Sequence, residues 1–381
     1  MGIEPVFYCS RMPVQALDPQ LGVDEFLYSE DTFPALCPSG GSVWPKKQEA
    51  KRDTDMINWR MMRYRLEYLV FQTLVCVVRS LPLRESVKLA KGLAFVIHRC
   101  LPRKMTRYHV AAENLRTAFG EELSEKEIDE TIYQMWTHLF RMIVEIIQLP
   151  RKLHRGNIFD VLDFDYPPEL ITALCSGRPV ILLSGHYGNW EIAVSVFGLF
   201  GFPMGVVARE LDNPYLNKWF AQFRQHTGHR AMAKSGGYDD MVATIERRGH
   251  LALLGDQDAG KRGLFVNFFG KPASTFKSIA LLALEYRAYI CVGYARRLPD
   301  DFEQNQWIKF EMGCEELIDA TKCVSKDPVG ELTQQFTSSL EKAIRKSPEQ
   351  YFWVHRRWKS QPRVREKKKR QAEPIAEKRA A

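Results

Sequence analysis

No two of the eight cysteines in this 381-residue chain stand at Cys-x-x-Cys spacing. Cys9, Cys37, Cys76, Cys100, Cys175, Cys291, Cys314 and Cys323 follow no regular interval. Their scatter argues against a zinc site or a disulfide framework and for a reducing compartment. Neither His-Glu-x-x-His nor Gly-x-Ser-x-Gly occurs, so a zinc protease and a serine hydrolase lack their usual signatures. No internal repeat is visible. No basic segment followed by a continuous apolar stretch is visible near residue 1, so no secretory signal is expected. That opening instead carries Pro5, Pro13, Pro19, Pro34, Pro38 and Pro45, and residues 1–58 read as a poorly ordered extension.

What is present is enough apolar matter for a packed core: 45% hydrophobic and 12% aromatic residues. The net charge of +8 is uneven. Residues 1–58 hold five Lys/Arg against nine Asp/Glu, and residues 359–381 hold nine against three, so the body between them stays basic. A basic body suits an anionic partner such as phospholipid headgroups or a phosphorylated substrate, although charge alone fits nucleic acid as well. Residues 363–381 read as a solvated basic tail.

The longest apolar stretch, Leu69 to Val78 with Gln72 and Thr73 inside it, is half the ~20 residues a spanning helix needs. Arg60, Arg63 and Arg65 precede it, and Trp59, Tyr64, Tyr68 and Phe71 lie along it. The pattern fits a helix lying in a membrane interface, or an amphipathic helix covering a core. Further helices are expected over 85–100 and 103–119. Another runs from Ser124, whose spacing to Glu127 is that of a capping box, to about residue 147. Strands then alternate with helices: strand 180–183, helix 189–200, strand 204–208, helices 213–227 and 238–248, strand 251–254, helix 275–286, strands 289–294 and 306–312, helix 328–345. This alternation predicts an α/β fold, a mainly parallel central sheet flanked by helices, behind an N-terminal helical region over 59–150. The α/β core is expected over 151–360.

The run Val180-Ile-Leu-Leu-Ser-Gly-His-Tyr-Gly-Asn-Trp-Glu191 carries the chemistry. A buried strand ends in a glycine-flanked histidine, and a carboxylate follows five residues on, where a helix begins. Such a place, the C-terminal edge of a sheet, is where α/β enzymes keep their reactive groups. Asn189 is the expected N-cap, the helix N-terminus favours neutral His186, and Glu191 in the first turn reaches back to orient the imidazole. A neutral imidazole so held deprotonates a hydroxyl for attack on an acyl carbonyl, with no metal or cofactor. Read from the residues alone, a loop histidine and a capping glutamate without chemistry stay open.

The run Leu183–Glu191 resembles the signature of the lipid A late acyltransferases of lauroyl/myristoyl type, a family that includes the mycobacterial phosphatidylinositol mannoside acyltransferases. Glu113–Phe119, Ala208–Pro214, Phe223–Gly228, Gly255–Gly260, Phe265–Ala273 and Pro348–Lys359 resemble further family blocks in the family's order, over about 60–360. The resemblance implies a glycerolipid acyltransferase-like fold. It also implies transfer of a fatty acyl chain from an acyl carrier protein or coenzyme A thioester to a glycolipid hydroxyl, at the cytoplasmic face of the inner membrane. His186 and Glu191 match the family's catalytic pair, and Arg224 matches an arginine that steadies the oxyanion. Asp256 and Asp258 fall in its Asp-Gln-Asp block, either facing the sugar or organising arginines, or else simply making a turn. Arg209 is expected on substrate phosphate. Arg356 and Arg357, in a basic cluster with His355 and Lys359 around Trp358, are expected on lipid phosphate or an acidic carrier protein. With Asn189 these form the expected substrate-facing set. Leu264, Phe265, Phe268 and Phe269 line an acyl groove, touch the bilayer, or pack in the core. The acceptor is a lipid A precursor or related glycolipid, against a phosphoglycolipid or lysophospholipid. A lipid-binding protein without turnover is the remaining alternative.

Overall fold

The computed structural model describes residues 47–233, 237–303 and 307–362, with side chains from Trp59 onward. The expected extension, up to residue 46, and the basic tail from 363 lie outside the described residues. The chain divides after Met56, within the first helix, and every contact described below lies from Ile57 onward.

Four helices come first: α1 (Lys47–Ser80), α2 (Leu83–Phe95, passing into a wider turn over Val96–Cys100), α3 (Tyr108–Phe119) and α4 (Glu125–Lys152). The helix expected from 103 starts later, because Arg107 takes a left-handed φ of 53° that an α-helix does not accommodate. The Ser124 capping box forms in both directions, and α4 continues five residues past the expected end. Among the described residues no helix is long and apolar enough to cross a membrane. Helix α1 buries Val75 and Val78 against Val144 and Ile147 of α4. It leaves Trp59, Met62, Leu66, Leu69 and Val70 exposed.

The rest of the described residues are built on nine strands: β1 (Leu162–Asp165), β2 (Val180–Ser184), β3 (Met204–Ala208), β4 (Arg230–Ala233), β5 (His250–Leu254), β6 (Leu264–Phe268), β7 (Lys271–Thr275), β8 (Tyr289–Arg297) and β9 (Phe310–Asp319). Between them run α5 (Ile158–Val161), α6 (Glu169–Cys175), α7 (Trp190–Leu199), α8 (Pro214–Gln225), α9 (Tyr238–Glu246), α10 (Ser278–Glu285) and α11 (Pro328–Lys346). Seven strands form one sheet in the order β1-β9-β8-β2-β5-β3-β4, and β6 pairs with β7 in a separate hairpin. Every neighbouring pair in the large sheet is parallel except β8 with β9. The mainly parallel sheet is as the strand–helix alternation predicts.

Alternate residues of β2 enter opposite cores, as a strand buried on both faces requires. Ile181 and Leu183 join α3, the first half of α4, α10 and α11; Val180 and Leu182 join the second half of α4 and α7. Helix α4 thus passes from one core to the other. The register between β2 and β5 sets Ile181 opposite Leu251 and Ser184 opposite Leu254. Gly255 N–H then donates to Ser184 O at 2.9 Å, carrying the alignment past the strand ends. His186 and Asp256, each two residues beyond, are brought side by side.

Candidate active site

The loop after β2 is fixed by backbone hydrogen bonds from two directions. Gly188 N–H donates to Gln350 O at 3.0 Å, Asn189 N–H to Ala295 O at 2.8 Å, and Phe352 N–H to His186 O at 2.9 Å. Gly188 holds φ at +59°, and a Cβ there would lie 2.1 Å from Ala295 O, so both conformation and space require glycine. Asn189 caps α7 as expected: its Oδ1 accepts from Ile192 N–H at 3.1 Å.

His186 meets a carboxylate at this edge, and that carboxylate is Asp256. The imidazole Nδ1 lies 2.9 Å from Asp256 Oδ1, and the His186 N–H donates to Oδ2 at 2.8 Å. Burial works against ionisation of Asp256. The adjacent His186, both of these hydrogen bonds and nearby His355 outweigh it and hold the carboxyl well below the usual range. An ionised Asp256 can only accept, so Nδ1 carries the proton and Nε2 is the nitrogen that can take one. The side chain of His355 closes the far side, with Nε2 4.0 Å from Asp256 Oδ2 and 3.2 Å from the Tyr351 hydroxyl. Burial depresses the pKa of His355.

Glu191 sits in the first turn of α7 as expected, with both oxygens on Arg224: Nε donates to Oε2 at 3.1 Å and Nη2 to Oε1 at 2.6 Å. Here the expected geometry needs correcting. The acid on His186 Nδ1 comes from the end of β5, while the one five residues along holds a guanidinium. The reason is topological: β5 lies beside β2 in parallel register, and α7 carries Glu191 round towards α8. Burial of Arg224 disfavours its charge, but Glu191 outweighs this and the pKa is raised.

His186, Glu191 and Arg224 line one cleft of about 370 Å³, together with Trp190, Arg209 and Gln257. Its walls are apolar and come from both sheet faces: Leu182, Val206, Ala252 and Val194 from one core; Val207, Leu253, Ile279 and Leu282 from the other. The size is in the range of ligand sites of ~300–1,000 Å³. Trp190 meets the His186 ring edge-on at 5.0 Å between centroids.

The remaining expected residues separate clearly. Arg209 lines the cleft and is largely exposed, near Asp212. Asn189 is fully buried, its amide nitrogen donating to Glu145 Oε2 at 2.9 Å. Asp258 accepts from Ser360 N–H and Oγ and from Gly260 N–H, tying down the segment at Ser360. Arg356 is exposed, whereas Arg357 is 2% exposed and donates to Ser274 O and Thr275 Oγ1. Alternating burial along 356–357 turns one arginine inward, so the expected cationic cluster is divided. Phe268 and Phe269 are buried in the core, and Leu264 and Phe265 line a different depression from the one at His186. His355, expected in the basic cluster, instead lies beside Asp256, and Tyr351 escaped the sequence reading, as did His138, Glu145 and Arg297 behind the loop. Among the described residues, no three His, Cys, Asp or Glu side chains cluster to hold a metal ion.

Comparison with known proteins gives the family of the chain. Residues 53–360 match the model of the bacterial lipid A biosynthesis acyltransferase family, and the chain belongs to that family of acyltransferases. It is similar to the lipid A biosynthesis lauroyltransferase of Escherichia coli, 24% identical over 79% of this chain and 93% of that protein. The palmitoleoyltransferase of lipid A biosynthesis from E. coli is 26% identical over 67% of this chain and 80% of its own length. The phosphatidylinositol mannoside acyltransferase of Mycolicibacterium smegmatis is 29% identical over 37% of this chain, and the match spans about half of that relative, 47%.

Proposed function

We propose that this chain moves a fatty acyl chain from a carrier-protein or coenzyme A thioester to a hydroxyl of a lipid A precursor or related glycolipid. The observation that carries the reading is the His186–Asp256 pair, whose imidazole lines an apolar cleft together with Arg224. Nε2 of His186 takes the proton of the acceptor hydroxyl, whose oxygen adds to the thioester carbonyl carbon. Negative charge gathers on the former carbonyl oxygen, where the Arg224 guanidinium, oriented by Glu191, stabilises it. Collapse breaks the carbon–sulfur bond, and the leaving thiolate takes back the proton from His186. The apolar walls suit an alkyl chain, and exposed Arg209 and Arg356 suit acceptor phosphate or an acidic carrier.

The exposed apolar stripe of α1, bordered by Arg60, Arg63 and Arg65, supports binding at the surface of the inner membrane on its cytoplasmic side. The names of the relatives, lipid A and phosphatidylinositol mannoside acyltransferases, support an amphiphilic sugar acceptor.

The test is acylation of a Kdo-bearing lipid A precursor by acyl carrier thioester, with wild type and His186→Ala. Loss of a general base lowers kcat by roughly 10²–10⁴-fold. Equal rates would reject the base assignment. Acylation of a lysophospholipid but not the saccharide would move the acceptor to that class, and binding without turnover by wild type would leave a lipid-binding protein.

A further inference from the structure

The reverse side of the catalytic loop is held by a chain of buried polar groups that takes no part in the reaction above. Its source is the middle of α4, where the helix passes between the two cores. His138, Arg141 and Glu145 lie there at spacings of three and four, on one helical face, and all are buried. Arg297, the last residue of β8, enters between His138 and Glu145. Its Nη1 donates to His138 Nδ1 at 2.9 Å and its Nε to Glu145 Oε1 at 2.5 Å.

This geometry fixes a tautomer. A guanidinium only donates, so His138 Nδ1 must accept, and the ring proton resides on Nε2. That Nε2 lies 3.1 Å from Gly188 O and donates to it. Burial, reinforced by the charge of Arg297, keeps the imidazole neutral. Glu145 uses its second oxygen to accept from Asn189 Nδ2 at 2.9 Å. Two successive loop residues, Gly188 by its carbonyl and Asn189 by its side chain, are therefore held from one face of α4.

The consequence reaches the cleft along a short path. Gly188 follows His186 by two residues, and Asn189 caps the helix that carries Glu191. Rotation of the Gly188 peptide would move the imidazole on one side and the partner of Arg224 on the other. Backbone donors from Gly188 and Asn189 fix the N–H side of this turn. The His138 bond is the side-chain anchor on the Gly188 carbonyl.

We infer that His138 is a positioning residue for acyl transfer: its Nε2–H, set by Arg297, holds the Gly188 carbonyl so that His186 and Glu191 stay in register with Asp256 and Arg224. The inference rests on the role proposed for His186. It also makes the N-terminal helical region part of the working site, because α4 supplies the anchor.

The experiment compares full-length wild type, His138→Leu and His138→Gln by steady-state acyl transfer, thermal unfolding and nitrogen NMR of the histidine side chains. Glutamine can accept from Arg297 and still donate to Gly188 O; leucine does neither. Displacement of reacting groups by about 1 Å costs on the order of 10²-fold, so the Leu variant is expected to lose about that much in kcat with KM nearly unchanged. The Gln variant should recover most of it. Should leucine prevent folding, His138→Asn replaces it, since the shorter amide meets Arg297 but stops short of Gly188. A Leu or Asn variant with wild-type kcat, or a folded Gln variant no better than either, would overturn the inference. The NMR arm needs no substrate: Nδ1–H at His138 overturns the anchor whatever the chemistry proves to be. Nε2–H there, in a wild type that transfers no acyl chain, would overturn the proposed reaction and leave the loop anchor standing.

Discussion

The two sides of the loop over residues 185–189 use the same kinds of side chain to different ends. Facing the cleft, an imidazole meets an aspartate and an arginine meets a glutamate, with His186 and Arg224 each partly open to the cleft. On the reverse side, histidine, arginine and glutamate meet again in His138, Arg297 and Glu145, almost wholly withdrawn from solvent. Burying such a set gains little net stability, because desolvation offsets the attraction. What it fixes is geometry: every bond of the reverse set ends on the loop or on a group that does. The cleft set keeps one face accessible, so its protons can move. Difference in access, rather than in residue type, separates the groups proposed to react from those proposed to hold them.

The largest effect should come from attacking the acid that the cleft side depends on. Asp256→Asn replaces an obligate acceptor by an amide that can donate to Nδ1 and force the proton onto Nε2, removing the basic nitrogen. In a serine protease the corresponding change costs about 10⁴ in kcat, and a loss of roughly 10³–10⁴-fold is expected here. A loss under tenfold would show that Asp256 is not the orienting acid. The same variant has a stability signature. The folded carboxyl titrates below its unfolded value of about 4, so ionised Asp256 stabilises the fold above that pH. That contribution fades as pH falls through the folded pKa. Wild type and variant should therefore differ most in unfolding free energy near neutrality and converge in acid.

Next in size is the pair that separates the roles of Glu191. Arg224→Met removes the proposed oxyanion donor and should lower kcat by about 10²–10³-fold. If Glu191 serves the site through Arg224, then Glu191→Gln costs something alone and almost nothing more in the Arg224→Met background. A double variant much slower than Arg224→Met would restore Glu191 to a direct part in supporting His186, the part that sequence spacing suggests.

How much of this could be seen in the chain follows from the range of each interaction. Strand β2 with its glycine-flanked histidine, the Asn189 cap and the Ser124 capping box are local patterns, and all stand where expected. The partner of His186 is a matter of strand order. A parallel sheet puts Asp256 seventy residues away but next door in space, while Glu191, five residues away, turns with its helix to Arg224. Spacing along the chain cannot rank those two carboxylates. Strand β1 was hidden because its Asp163 and Asp165 suit an edge and imitate a loop. Arg357 looked like its exposed neighbour Arg356; only packing turned it inward to β7. His138 and Glu145 lay in a helix rich in core residues, where nothing local marks a polar pair as one that reaches the site.

The smallest effect tests the same contrast from outside it. Ser124 lies at the start of α4, fourteen residues before His138, and its capping box is exposed. Ser124→Ala removes one satisfied N–H at the helix end and should cost about 1 kcal/mol of stability. Helix α4 is anchored further along by core residues on both sides of His138, among them Ile132, Met135, Met142 and Ile146. Fraying of its first turn should therefore stop before the loop anchor, leaving kcat and KM unchanged while the unfolding midpoint falls by a few degrees. A kcat that fell with stability in this variant would mean that the whole of α4, and not its buried middle alone, sets the position of the catalytic loop.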